Sequence, residues 1–297
     1  MGEWNPEGVG ATVYQSLKLA KKTARRMRGL VRRAFYEKNV AKLETIEFGP
    51  GRRLITTQQF GGHSTLELLR HCIAICDEER IGKVWGDHVM FGGAMDGAVD
   101  RFDVHILCGL IKVFNVRRVM ECSPYCGWST TFIQMALPDD SEHRSFDSEN
   151  YERIIRKSVA RHVPLKNWLF VRGDFKQTVV AHLNFLKEVD LLFIDCDHRA
   201  SFAAWYLDEI KLFQMLKPGS LIHIHDVYPV GLEPAGFGES PYVLGWLQEN
   251  REQYDVICNY ETSRCQELQS EFPLDLFLNH EGLQAANPTL WLRVRAR

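Results

Sequence analysis

Residues 118–130 read Arg-Val-Met-Glu-Cys-Ser-Pro-Tyr-Cys-Gly-Trp-Ser-Thr. A short apolar run ends on Glu121 and dissolves into small and turn-forming residues, and a second run opens near Ser129. That pattern predicts a strand over 118–123 feeding a helix that starts near Ser129. Working outward, residues 104–114 predict a helix leading into this strand. Further strands are predicted at 144–146, 168–171, 190–194 and 221–224, with helices between them. Short apolar strands alternating with helices specify a parallel sheet covered on both faces. Residues 254–259 and 290–294 are two more strands with no long helix between them, and they are expected to close the sheet as an antiparallel pair. The expectation is an α/β fold with a seven-stranded mixed sheet and helices on both faces.

In such a sheet, ligands bind beyond the carboxyl ends of the strands, where loops meet helix amino termini. Acidic residues stand at each of those ends. The first strand ends on Glu121, the second on Asp147, and the third on Gly173-Asp174. The fourth ends on Asp195-Cys196-Asp197-His198, and the fifth on His225-Asp226.

The run Glu121-x-Ser123-x-x-x-Gly127-x-Ser129 resembles the first motif of the class I S-adenosylmethionine-dependent methyltransferases. Residues 193–198 (Phe-Ile-Asp-Cys-Asp-His) and 216–227 (Leu-Lys-Pro-Gly-Ser-Leu-Ile-His-Ile-His-Asp-Val) resemble the fourth- and fifth-strand motifs of the branch holding metal-assisted small-molecule and sugar O-methyltransferases. The resemblance covers roughly residues 100–297 and implies a Rossmann-like methyltransferase fold binding S-adenosylmethionine. Ser123 and Tyr125 depart from the usual glycine-rich loop. Tyr125 would crowd the methionine end of the cofactor unless it turns outward.

The resemblance implies a role for each strand-end residue. Glu121 would orient the loop or, through solvent, the cofactor ammonium. Ser123 and Gly127 would let the backbone approach the cofactor closely. Asp147, 26 residues beyond Glu121, would bind the ribose hydroxyls and Asp174 the adenine amino group. Asp195 would serve both the cofactor and, with Asp226 and His225, a divalent cation such as Mg²⁺. His225 is equally readable as a wall residue, because neighbouring side chains on a strand point to opposite faces. His198, three residues after Asp195, would be the general base. Imidazole titrates near neutrality and suits that work.

The rest of the chain bounds the reading. At 297 residues, with 45% hydrophobic and 25% charged residues, it can bury a sizeable core, and a net charge of -2 provides no bulk attraction for nucleic acid. No motif of the base-flipping methylases is present, and no nucleic-acid partner is expected. The acceptor is expected to be a polar small molecule or a sugar-bearing one. The eight cysteines form no CxxC pair, and several lie in apolar runs as small buried hydrophobes, including Cys108 and Cys196. Cys122 and Cys126 have one-turn spacing but lack further metal ligands. A reducing, cytoplasmic setting is expected, with no membrane span or signal peptide.

Residues 1–85 are read as an α-rich extension to a methyltransferase domain over 86–297. Within the extension, residues 17–35 carry an apolar helical stripe beside nine Lys or Arg between Lys18 and Lys38. This face suits packing on the domain, on a second copy of the chain in a homo-oligomer, or on an anionic surface. A hairpin is expected around Gly49-Pro50-Gly51. Ser64 and Glu67 have capping-box spacing for a helix that follows.

Three rival readings remain open at this stage. One is a metal-independent methyltransferase using His198 alone. Another is a degenerate fold acting as a cofactor-binding or assembly subunit. The third, a nicotinamide-dependent oxidoreductase, requires a Gly-x-Gly-x-x-Gly loop that Ser123-Pro124-Tyr125 does not supply.

Overall fold

The computed structural model describes residues 54–91, 99–229, 236, 238–278 and 288–296. The expected helix over 17–35 and the hairpin about residues 49–51 lie outside these. The described chain opens with a two-residue hairpin, β1 (Gln59–Phe60) and β2 (His63–Ser64), and then α1 (Thr65–Ala74), α2 (Glu78–Phe91) and α3 (Arg101–Val113). The strand-helix alternation follows: β3 (Arg118–Cys122), α4 (Trp128–Ala136), β4 (Glu142–Asp147), α5 (Glu152–Val159), β5 (Trp168–Arg172), β6 (Leu191–Ile194), α6 (Ala200–Ala204) and β7 (Leu221–Ile224). The chain ends with α7 (Glu239–Asn250), β8 (Tyr254–Cys258) and β9 (Leu290–Val294).

The main sheet has seven strands in the order β5-β4-β3-β6-β7-β9-β8. Strands β3 to β7 are parallel, and β9 runs antiparallel between β7 and β8. The expected mixed sheet and its antiparallel closing pair are therefore present. The direction of winding reverses between β3 and β6, where Cys122 pairs with Ile194. That reversal opens a crevice at the carboxyl ends of the two strands.

Pleating explains the apolar runs. Along β6, Leu191 and Phe193 face one core and Leu192 and Ile194 the other. The first core gathers α1, α3 and α4 through Leu69, Leu107, Leu110 and Phe132. The second gathers Tyr206, Phe213, Trp246 and Val256. A strand buried on both sides needs apolar residues at successive positions, and fully burying each such side chain contributes roughly 1.5–3 kcal/mol.

Residues 60–84 pack into the first core, since Phe60, Leu68, Leu69, Ile81 and Val84 belong to it. Gly109 of α3 lets α1 approach closely, because a Cβ there would lie 2.5 Å from the Cys72 Cα. A helix does begin after Ser64, but the anticipated capping box does not form: Ser64 makes no side-chain cap bond. Its backbone is paired with Gln59 in the hairpin, and Glu67 binds Arg70 at 2.6 Å instead. None of the helices in the described residues is long and apolar enough to cross a membrane.

Candidate active site

The loop after β3 is built from strained backbone. Ser123 (φ 65°), Tyr125 (φ 44°) and Gly127 (φ 90°) all adopt left-handed conformations. Such conformations cost non-glycine residues about 1–3 kcal/mol each and persist where the surroundings enforce them, commonly at ligand sites. Here the Ser123 N–H donates to the Phe146 carbonyl at 2.8 Å and the Gly127 N–H to the Pro124 carbonyl at 2.7 Å. Glycine suits 127, since φ 90° strains a side chain and a Cβ there would sit 3.1 Å from the Ile155 side chain. Tyr125 does turn outward: it is 46% exposed, and its ring meets Tyr151 edge-on at 5.2 Å.

Glu121 points into the interior. It is fully buried, and its Oε2 accepts from Thr130 at 2.9 Å and Ser145 at 2.6 Å and lies 3.0 Å from His143 Nε2. Burial works to raise its pKa, but the imidazole and the hydroxyl donors overcome this and hold it below the ordinary value. The carboxylate thus ties β3 to α4 and β4.

Asp147 and Asp174 lie at the ends of β4 and β5. Asp147 is 8% exposed and accepts the Tyr125 N–H at 3.2 Å and the Glu149 N–H at 3.0 Å. Burial raises its pKa, against the pull of those donors. Asp174 is exposed and caps the short helix Phe175–Thr178, accepting the Lys176 N–H at 2.9 Å.

The ends of β6 and β7 converge more tightly. Ligating atoms of Asp195, His225 and Asp226 all lie within 4.8 Å of one another. Strand alternation would send His225 and Asp226 to opposite faces, but Asp226 leaves the strand with φ 57°, which swings its carboxylate back beside the imidazole. His225 Nδ1 lies 3.3 Å from Asp195 Oδ1 and 3.4 Å from Asp226 Oδ1. Burial disfavours charge on His225, yet the two carboxylates hold its pKa well above the ordinary value. Asp226 is correspondingly lowered by His225, against its own burial. The buried Asp226 Oδ1 and both His225 ring nitrogens lack a well-aligned hydrogen bond. Two carboxylates and an imidazole with unsatisfied atoms fit a divalent cation.

His198 flanks this cluster, with Nε2 3.6 Å from Asp226 Oδ2. Its Nδ1 lies 3.1 Å from Glu239 Oε2, and Tyr206 donates to Glu239 Oε1 at 2.8 Å. Burial pulls His198 down, but Glu239 above all, with Asp226 and Asp195, raises it overall. Neither Glu239 nor Tyr206 was singled out from sequence. They stand 41 and 8 residues from His198 in no recognisable motif, and only the tertiary fold assembles them. Cys196, expected to be a buried hydrophobe, is only half-buried, and its Sγ lies 3.0 Å from Cys122 Sγ at the crevice. Cys122 takes that partner rather than Cys126.

A parallel sheet with this reversal, an acid at each strand end and a tight loop after the first strand define the class I methyltransferase fold. Residues 120–227 match the family described as a methyltransferase domain, a stretch running from β3 through the loop after β7. The chain therefore has the Rossmann-like fold of the class I methyltransferases, and this segment resembles their domain. Solved structures share the fold at low identity. A methyltransferase of Podospora anserina, bound to S-adenosylhomocysteine, is 14% identical with a TM-score of 0.51, over 82% of this chain and 100% of that one. An O-methyltransferase of Streptomyces achromogenes involved in tomaymycin synthesis, bound to S-adenosylmethionine, is 14% identical with a TM-score of 0.50, over 78% and 96%. An O-methyltransferase of Bacillus cereus in complex with S-adenosylhomocysteine is 13% identical with a TM-score of 0.50, over 75% and 94%. No curated protein matches the sequence.

Proposed function

We propose that this chain is an O-methyltransferase that moves the methyl group of S-adenosylmethionine to a hydroxyl of a polar small molecule or sugar-bearing acceptor. The carrying observation is the meeting of Asp195, His225 and Asp226 within 4.8 Å beside His198, at the carboxyl ends of two central strands.

On this reading Ser123 and Gly127 let the loop backbone lie close to the cofactor, Asp147 accepts from the ribose hydroxyls, and Asp174 lies toward the adenine. Glu121 keeps the loop in shape from beneath. Asp195, His225 and Asp226 hold a divalent cation, with Asp195 also bordering the cofactor. Bound there, S-adenosylmethionine supplies an electrophilic methyl on a sulfonium, and the cation supplies a Lewis acid that lowers the pKa of a hydroxyl it touches. His198 takes the acceptor's proton as its oxygen gains the methyl. A positioned base of this kind is worth about 10²–10⁴-fold in rate. Most of the remaining work is alignment of the acceptor for an in-line displacement.

A second reading has its own observation. Because His225 stands between the two carboxylates, its protonated ring could balance their charge without a metal, leaving His198 to act alone. One experiment separates the two. The protein is incubated with S-adenosylmethionine and a panel of catechols, sugars and nucleosides, with and without chelator, and products are read by mass spectrometry. Methylation abolished by chelation and restored by Mg²⁺ or Mn²⁺ supports the cation. Methylation unaffected by chelation selects the second reading. Cofactor binding with no product on a broad panel favours a degenerate binding subunit.

A further inference from the structure

The first two residues of α7 brace both loops of the candidate site. The Glu239 N–H donates to the His198 carbonyl at 2.8 Å, while its side chain faces His198 Nδ1 at 3.1 Å. Ser240 Oγ donates to the Asp226 carbonyl at 3.0 Å and accepts the Tyr228 N–H at 3.0 Å. Gly238 permits this approach, because a Cβ there would lie 3.2 Å from both the Cβ and the N of Ala200. The helix start is thus fastened to the loop after β6 by one residue and to the loop after β7 by the next.

Glu239 is 2% exposed, so its carboxyl group bears a desolvation cost that partners must offset. The Tyr206 hydroxyl donates to Oε1, which leaves Oε2 for the imidazole. An ionised carboxylate only accepts hydrogen bonds, and a neutral imidazole carries one donor and one acceptor nitrogen. In the neutral ring, with Glu239 as acceptor, Nδ1 must carry the proton, and the lone pair falls on Nε2, which lies beside Asp226.

We infer that Glu239 is a positioning residue, fixing His198 with Nδ1–H directed at its carboxylate so that Nε2 is presented beside Asp226. As far as turnover is concerned, this rests on His198 being the base. In the reaction the acceptor O–H bond breaks as its proton passes to Nε2. The acceptor oxygen gains the methyl, and the C–S electron pair departs with the sulfur. The imidazolium then holds two N–H bonds, one on Glu239. Tyr206 fixes the carboxylate from behind.

The test begins with the wild-type chain, ¹⁵N-labelled at histidine, with the His198 signal assigned by His198→Gln. Nitrogen-proton correlation spectra distinguish the two tautomers. The expected result is a protonated Nδ1 in wild type and a shift toward protonated Nε2 in the isosteric Glu239→Gln. On an acceptor found as above, Glu239→Gln should lower kcat about 10- to 100-fold, the usual cost of losing a group that orients an active-site side chain. Acceptor KM and S-adenosylhomocysteine affinity should hold. In a His198→Ala background, Glu239→Gln should cost nothing further, because a residue acting through His198 has nothing left to position.

A wild-type His198 that, once titrated to the neutral ring, holds its proton on Nε2 overturns the inference whether or not the variant folds. So does an unchanged tautomer in folded Glu239→Gln, or a full additive loss in the double variant. A tautomer shift together with a fully active His198→Ala keeps the link between Glu239 and His198 and overturns only the assignment of His198 as base.

Discussion

Glu121→Gln tests whether the acid at the end of β3 serves the fold or the cofactor. The substitution preserves shape and removes charge from an oxygen that accepts from Thr130 and Ser145 and stands 3.0 Å from His143. Each hydrogen bond to a charged group is worth about 1.5–3 kcal/mol against about 1 for a neutral one. Both of these bonds weaken, and so does the contact with the fully buried His143, whose Nδ1 faces the Gln134 amide N–H at 3.0 Å and whose Nε2 faces Glu121. Three such losses, of about 0.5–2 kcal/mol each, are a large share of the roughly 5–15 kcal/mol that holds an ordinary domain together.

Urea unfolding followed by fluorescence should give a lower midpoint with an unchanged slope, while S-adenosylhomocysteine affinity of the folded variant, read by calorimetry, changes little. The pH dependence follows from the depressed folded-state pKa of Glu121. Its stabilising contribution is present above the unfolded value of about 4.3 and is lost as pH falls through the lower folded value. Glu121→Gln should therefore narrow the stability gap to wild type only at strongly acidic pH. Unchanged stability with cofactor affinity lost tenfold or more would refute this account and place Glu121 against the ligand.

Other outcomes follow from the strand ends. Asp226→Asn should abolish turnover and metal-dependent stabilisation in thermal melts while S-adenosylhomocysteine still binds, and retained metal-dependent activity would remove Asp226 from the cation site. His198→Ala should keep metal binding and lower kcat by about 10²–10⁴-fold in a steady-state assay, and full activity would move the base elsewhere. Asp147→Ala should lose about 1.5–3 kcal/mol of S-adenosylhomocysteine affinity by calorimetry, and undiminished affinity in a folded variant would take Asp147 out of the ribose site.

The parallel core was legible because its strands are short, apolar and regularly interrupted, a signal that survives without tertiary information. The strand-end acids were legible for the same reason, since the end of an apolar run marks where the crevice must lie. What escaped depends on backbone conformation and distant contacts. The left-handed turn at Asp226 reverses the alternation that set His225 and Asp226 on opposite faces. Ser64 has the composition of a helix cap, but the hairpin claims its backbone. Glu239 follows no motif, and its meaning appears only when α7 docks on the loop carrying His198.

The outer edge of the sheet has a consequence for the order in which the chain can assemble. The backbone of Thr57 donates to Val256 in β8, Val256 returns a bond to the Thr57 hydroxyl, and Cys258 donates to Thr56. Ile55 donates to Glu261, 206 positions later in the chain. A ribosome adding about 5–20 residues per second needs roughly 10–40 s to deliver that far partner after the near one. During this interval the stretch at 55–57 has no strand to cover, and Phe60 has only part of its core. Completion of the domain thus waits for its last strands, and the long-range strand pairing places it among slowly folding topologies.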